Sequence, residues 1–153
     1  MKKNPWKNFR SLVGRLFPQL LDIQRACITA YQRVTRGWAD EDVWSIDYHL
    51  CEVVPEMLEQ LKKDKNGVPQ KYIMKIYEER GLDVRDSFCD IPEEIIEEAD
   101  KRFTQSIDKM IAGFKAHKQI SDWDFTPETH LELDRIYREG MQKFVDDFEN
   151  LWW

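Results

Sequence analysis

A chain of 153 residues, 42% apolar and 34% charged, suits one globular domain that needs no disulfide or metal staple. No apolar run approaches the ~20 residues of a membrane-spanning helix, and the N-terminus lacks the apolar segment and small-residue cleavage site of a secretory signal. With a formal net charge of −6, these features argue against a membrane partner and place the expected protein in the cytoplasm.

Glycine and proline are sparse, six of each, while straight-chain residues abound. Such residues lose little rotamer freedom in a helix, so the fold class expected is all-α. The spacing predicts a single-domain bundle of four main helices plus short additional ones. Residues 5–17 place Trp6, Phe9, Leu12, Val13, Leu16 and Phe17 at helical spacing among Lys7, Arg10 and Arg15. They form a basic amphipathic helix that packs on its own domain or stands as a separate N-terminal element. The first main helix starts near Pro18, follows a stripe of Leu20, Ile23, Cys27, Ala30/Tyr31 and Val34, and stops at Gly37.

Asp40 is the candidate N-cap of a second helix over 41–63, with Glu41 and Asp42 in its first turn. Val43, Ile46, Leu50, Val53, Met57 and Leu61 form its stripe, which Trp44, Tyr48, Cys51 and Leu58 widen. That breadth suggests a central helix, with a kink at Pro55. Residues 70–80 predict a short helix closed by Gly81, and 82–91 a loop. A long helix from Pro92 repeats Ile96, Ala99, Phe103, Ile107, Met110 and Phe114. After a loop over 119–126, Thr126-Pro127-Glu128 opens a last helix to about 151 with an N-cap, a first-turn proline and an acid in order.

Charge is unevenly distributed. Residues 1–36 hold eight basic groups against the single acid Asp22, so the remaining 117 residues carry −13. Complementarity within one compact domain accounts for this most simply; a basic arm or an acidic body for an oppositely charged partner is the alternative. Cys27, Cys51 and Cys89 are widely spaced, with no C-x-x-C, and read as free, buried thiols in a reducing compartment.

No nucleophile elbow, phosphate-binding loop or dinucleotide fingerprint occurs, and His49, His117 and His130 have no metal-ligand spacing, so no catalytic residue, cofactor or metal site is assigned. Acid pairs at i,i+3 are the only enzymatic hint: Glu56 with Glu59, and Glu94, Glu97 and Asp100 in succession. Such pairs share a helix face and can hold a hard divalent cation. They resemble the Glu-x-x-Glu and Glu-x-x-Asp pairs of the all-α, MazG-like nucleotide pyrophosphohydrolases, which implies magnesium or manganese. The 37 residues between Glu59 and Glu97 exceed that family's usual gap, and a solvated acidic face explains the pairs more simply. Asp47, flanked on the helical wheel by Val43, Trp44, Leu50, Cys51 and Val54, is the candidate buried acid; a structural hydrogen bond is the plainer role for it and a site acid the sharper one.

The run Arg36-Gly37-Trp38-Ala39-Asp40-Glu41-Asp42-Val43-Trp44-Ser45-Ile46-Asp47 resembles an uncharacterised family of small helical proteins encoded in bacteriophages and prophages. Ile107–Phe114 and Glu139–Trp152 match it too, with Trp153 standing where the family ends in an acid. The resemblance implies an origin, and hence a bacterial host's cytoplasm, but supplies no activity. Trp38, Trp44 and Trp152 lie in these motifs and are expected in the core, gathered around Asp47. Trp6, Trp123 and Trp153 fall outside, at a terminus or in a loop, and are the candidate binding aromatics.

The function expected is therefore a non-enzymatic phage or mobile-element accessory protein that binds a host protein or a ligand. The alternatives are the metal-dependent pyrophosphohydrolase and a self-associating virion or assembly component. Nucleic acid is disfavoured as a partner; a homo-oligomer is left open.

Overall fold

The computed structural model describes residues 18–82 and 91–152, so the amphipathic pattern over 5–17 and most of the 82–91 loop lie outside the described residues. All regular structure among the described residues is helical, and no described helix is long and apolar enough to cross a membrane. In chain order the helices are α1 (Pro18–Arg36), α2 (Asp40–Trp44), α3 (Ile46–Asp64), α4 (Gln70–Arg80), α5 (Glu93–Ser121) and α6 (Pro127–Asp147), followed by a 3-10 turn, Phe148–Asn150. The chain divides into two compact units, residues 1–46 and 47–153.

In the first unit α1 ends as expected: Gly37 takes φ 82°, and its N–H donates to the Arg33 carbonyl at 3.0 Å. The N-cap of α2 is Ala39, not Asp40. Asp42 performs the capping, its carboxylate accepting from the Ala39 N–H at 2.7 Å and from both sides of the Arg33 guanidinium at 2.6 and 3.2 Å. Asp40 is turned instead to Gln32 and Arg36, and Glu41 accepts from the Thr29 hydroxyl. Polar contacts thus join α2 to α1, while Ile23, Tyr31, Val34 and Cys27 on the apolar stripe of α1 remain exposed. Cys27 is therefore not the buried thiol the sequence suggested, although Cys51 is; Cys89 lies outside the described residues.

The single helix expected over 41–63 is broken at Ser45, whose φ of −139° and ψ of 71° are not helical. Helix α3 then runs through Pro55, and the interruption falls ten residues before the proline. The break changes which residues share a face. A helical wheel puts Val43 and Trp44 beside Asp47 only if the helix is continuous.

The second unit is organised on the long pair α5 and α6. Their axes pass so closely that a Cβ on Gly113 would sit 2.7 Å from the Gly140 Cα, and one on Gly140 would sit 2.5 Å from both the Gly113 Cα and the Lys109 carbonyl oxygen. Around this crossing, Phe103, Ile107, Met110, Ile111 and Phe114 of α5 meet Cys51 and Leu58 of α3. Phe114 packs edge-on against Phe144, ring centroids 5.2 Å apart, and His117 stacks on Tyr137. A second cluster joins Ile76 and Tyr77 of α4 to Ile95 and Ala99 near the start of α5. Gly81 ends α4 in the left-handed conformation, φ 65°, and the Thr126 hydroxyl accepts from the Thr129 N–H to start α6, both as predicted. Helix α6 ends earlier than expected, at Asp147, where the chain tightens into the 3-10 turn.

This core is built of phenylalanine and isoleucine, not tryptophan. Trp44 is 93% exposed and Trp152 73%, and Trp38 lies partly exposed under the Arg36 guanidinium, 3.9 Å from the ring centroid. The expected gathering of Trp38, Trp44 and Trp152 in the core is corrected accordingly. Trp44 ends α2 before the break at Ser45, and Trp152 follows the end of α6.

Candidate functional site

The second unit carries an apolar groove of about 510 Å³. Val54, Met57, Leu58 and Leu61 of α3 form one wall. Phe144 of α6, with Phe148 and Leu151 of the C-terminal turn, forms the other, and the Phe144 and Phe148 rings meet nearly edge-on at 5.6 Å. Gln60 and Asp64 are its polar lining residues, and the Gln60 amide donates to the Asp64 carboxylate. The groove follows from the breadth of the α3 stripe. Cys51 and Leu58 turn inward and are buried, whereas Leu50, Val53 and Met57, read as core from the sequence, are exposed. Met57 and Phe148 are each 64% exposed. Large apolar side chains left in water on facing elements are the common mark of a binding surface.

A polar cluster sets the position of the Phe148 wall. Asp147, 1% exposed, accepts from the Tyr72 hydroxyl at 2.7 Å and from the Ser106 hydroxyl, and is paired with Lys71, whose ammonium also donates to the Asp146 carbonyl at 2.7 Å. Burial alone would raise this carboxyl, but the bonds from Lys71, Ser106 and Tyr72 prevail and hold it below the ordinary carboxylate range. Burial likewise drives the Tyr72 hydroxyl upward, the Ser106 contact opposes this, and the neighbouring Asp147 charge adds to the rise. A buried Ser–Asp–Lys set suggests nucleophilic chemistry at first sight. One carboxylate oxygen takes both hydroxyls and the other faces the Lys71 ammonium, and no member of the cluster lines the groove, so its effect is to fasten three helices together.

Asp47, the acid expected to be buried, is exposed in the first turn of α3. The Tyr48 backbone N–H first, and then His117 at 3.4 Å, hold its carboxyl below the usual range. Among the described residues the buried acids are Asp42 and Asp147. Asp147 was legible in principle, lying seven residues after Gly140, three after Phe144 and four before Leu151, on the inward face of α6.

The five acids of the metal-hydrolase reading do not converge. Glu56 and Glu59 line one shallow cleft with Lys63 and Lys115, and Glu59 pairs with Lys62 at 3.1 Å. Glu97 and Asp100 line another with Lys65 and Lys101, Asp100 being paired with Lys65. Glu94 is exposed near the start of α5. Glu59 and Asp100 are thus paired with lysines, and no three His, Cys, Asp or Glu side chains among the described residues form a metal-binding group.

Of the candidate binding aromatics, Trp6 and Trp153 lie outside the described residues. Trp123 is 82% exposed at the end of α5, with φ 57°. It stacks on Phe125, whose ring in turn packs against His130. This is the left-handed position after a helix, where glycine is the usual residue and a large side chain is strained.

The chain matches no family model, no curated protein and no solved structure.

Proposed function

We propose that this protein is a non-enzymatic accessory protein of a phage or mobile element that acts by binding a host protein in the bacterial cytoplasm. One observation carries the reading: an apolar groove of about 510 Å³ whose walls, Met57 on one side and Phe148 on the other, stand largely in water. Concave sites lined mainly by apolar side chains, with few polar groups among them, are where proteins commonly take up ligands or partner side chains. The phage-like motif over residues 36–47 supplies the origin, and the scattered, lysine-paired acids favour binding over metal-assisted hydrolysis.

Affinity purification of the tagged chain from host lysate, followed by titration with each purified candidate, tests the reading. A saturable complex of fixed stoichiometry is expected. Absence of any partner, together with magnesium- or manganese-dependent turnover of a nucleotide, overturns it in favour of the hydrolase.

A further inference from the structure

We infer that α1 pairs head to tail with the α1 of a second copy of this chain, through a coiled-coil seam of Leu20, Ile23, Cys27, Ala30 and Val34. This pairing is separate from host-protein binding and uses no residue of the groove.

The seam shows first in the spacing. From Leu20 onward its residues alternate steps of three and four, and in the sequence the same steps run upstream through Leu16, Val13, Phe9 and Trp6. An apolar stripe on a helix packed in a globular fold follows the 3.6-residue period, which drifts from such a pattern by about 20° per heptad. A strict 3.5-residue repeat kept from Trp6 to Val34 suits helices coiled around each other. Pro18, where α1 opens, falls on the side away from the seam. In the structure the described part of the stripe stands in water: Ile23 is 60% exposed and Val34 86%, and Cys27 and Ala30 are exposed as well. Helix α2 is held on another side of α1, where Thr29 bonds Glu41, Gln32 and Arg36 bond Asp40, and Arg33 bonds Asp42.

Charge selects a second copy and its direction. Residues 1–17 hold five basic groups, Lys2, Lys3, Lys7, Arg10 and Arg15, and no acid. Residues 33–47 hold Asp40, Glu41, Asp42 and Asp47 against Arg33 and Arg36, a balance of −2. Head-to-tail pairing sets the basic end of each copy beside the acidic end of the other, and two-fold symmetry makes that match twice. Pairing in the same direction sets +5 against +5. Along the flanks of the seam lie Gln24, Ala26, Tyr31 and Arg33, and Arg33 is bound by Asp42, so no like charges hold two copies apart there. The chain's own residues 5–17 are a poor cover for α1. Leu16 keeps the register to within two residues of Pro18, which leaves no room for the connection of about 2–5 residues that a helical hairpin needs.

Sedimentation velocity of the full chain under reducing conditions tests the pairing. A reversible dimer is expected as the protein rises through the micromolar range, and it should weaken severalfold with added salt, because exposed opposite charges join its ends. Ile23→Lys combined with Val34→Lys should weaken it at least roughly tenfold, since each ammonium must enter an apolar seam. Both side chains are largely in water in the single chain, so the variant keeps its fold, which circular dichroism checks. Lys2→Glu, Lys3→Glu and Lys7→Glu together should also weaken the dimer, whereas they would tighten a pair running in the same direction; this arm and the salt arm leave the seam unaltered. A monomer at every concentration, a dimer indifferent to the seam lysines, or one that tightens with salt or with the glutamates overturns the proposal. So does a dimer that Met57→Ser abolishes, which would place the contact in the groove instead.

Discussion

Replacing Gly140 by alanine gives a stability change whose sign depends on the α5–α6 crossing. In an uncrowded helix interior, alanine is favoured over glycine by about 1 kcal/mol, because glycine loses more backbone freedom on folding. At Gly140 the added methyl would stand 2.5 Å from the Gly113 Cα and from the Lys109 carbonyl oxygen, and 2.9 Å from the Gly113 nitrogen. Carbon–carbon contacts are most favourable near 3.5–4.0 Å, so the helices must part by about 1 Å. All three atoms are backbone, so no side chain can rotate away. Overpacking of this kind costs about 1–3 kcal/mol, and a backbone clash belongs at the upper end. Less the propensity gain, Gly140→Ala should destabilise by about 1–2 kcal/mol, lowering Tm by several degrees. Gly113→Ala should act in the same direction but more weakly, its nearest contact being 2.7 Å. The double variant should fall short of the sum, since parting the helices once relieves both clashes. Gly67→Ala, with nothing within 4 Å of the added carbon, is the control and should be neutral or slightly stabilising. Thermal and urea unfolding followed by circular dichroism measures all four. A Gly140→Ala protein that melts higher than the parent would refute the close crossing.

Asp147→Asn should cost about 1–3 kcal/mol at neutral pH, because it removes the charge facing Lys71 and spoils the acceptor shared by Tyr72 and Ser106. The folded-state carboxyl lies below its unfolded value, so its contribution is present above the unfolded pKa of about 3.9 and is lost as pH falls through the lower folded value. Urea titrations of both proteins should therefore converge in strong acid; a difference that persists unchanged there would contradict this assignment. At position 123, glycine should be more stable than alanine by about 1 kcal/mol, reversing the usual order, because φ is 57°; equal melting of Trp123→Gly and Trp123→Ala would mean the left-handed turn is absent. Finally, Cys27 should react with a maleimide in the native protein while Cys51 does not, since burial raises the Cys51 thiol to about 11. Peptide mapping by mass spectrometry separates the two sites, and rapid native labelling of Cys51 would show the core to be open.

The sequence was most legible where a residue has a single local use. Gly37, Gly81 and the Thr126-Pro127 pair marked helix ends because each meets a backbone requirement its neighbours cannot. The regular recurrence of Phe103, Ile107, Met110 and Phe114 placed the inward face of α5 for the same kind of reason. Predictions failed where they assumed that a helix keeps its phase. An uninterrupted 41–63 helix puts Trp44, Asp47 and Leu50 on one side; one non-helical residue at Ser45 dissolves that grouping, and nothing in the local composition announces it. The tryptophans misled for a related reason. Their area favours burial, but burial also needs a neighbouring surface at the right height, and Trp152 follows the last helix.

The broad apolar stripe of α3 holds the larger lesson for function. Read from the sequence, its breadth means a central helix with several neighbours. In the folded unit α5 covers one side, through Cys51 and Leu58, while the strip of Leu50, Val53 and Met57 is left open. A helix more apolar than its own fold can cover presents the same pattern as a central one, because periodicity records which residues avoid water and not which surface shields them. Of that strip Met57 lines the groove, beside Val54, Leu58 and Leu61. On the proposed binding reading the Asp147 cluster would act indirectly: it ties the end of α6 to Lys71, Tyr72 and Ser106, next to Phe148 in the groove wall, so the furrow would be shaped before any partner arrived. A preformed furrow spares the partner the ordering that an induced one would demand, and that difference decides whether a surface this small can bind selectively.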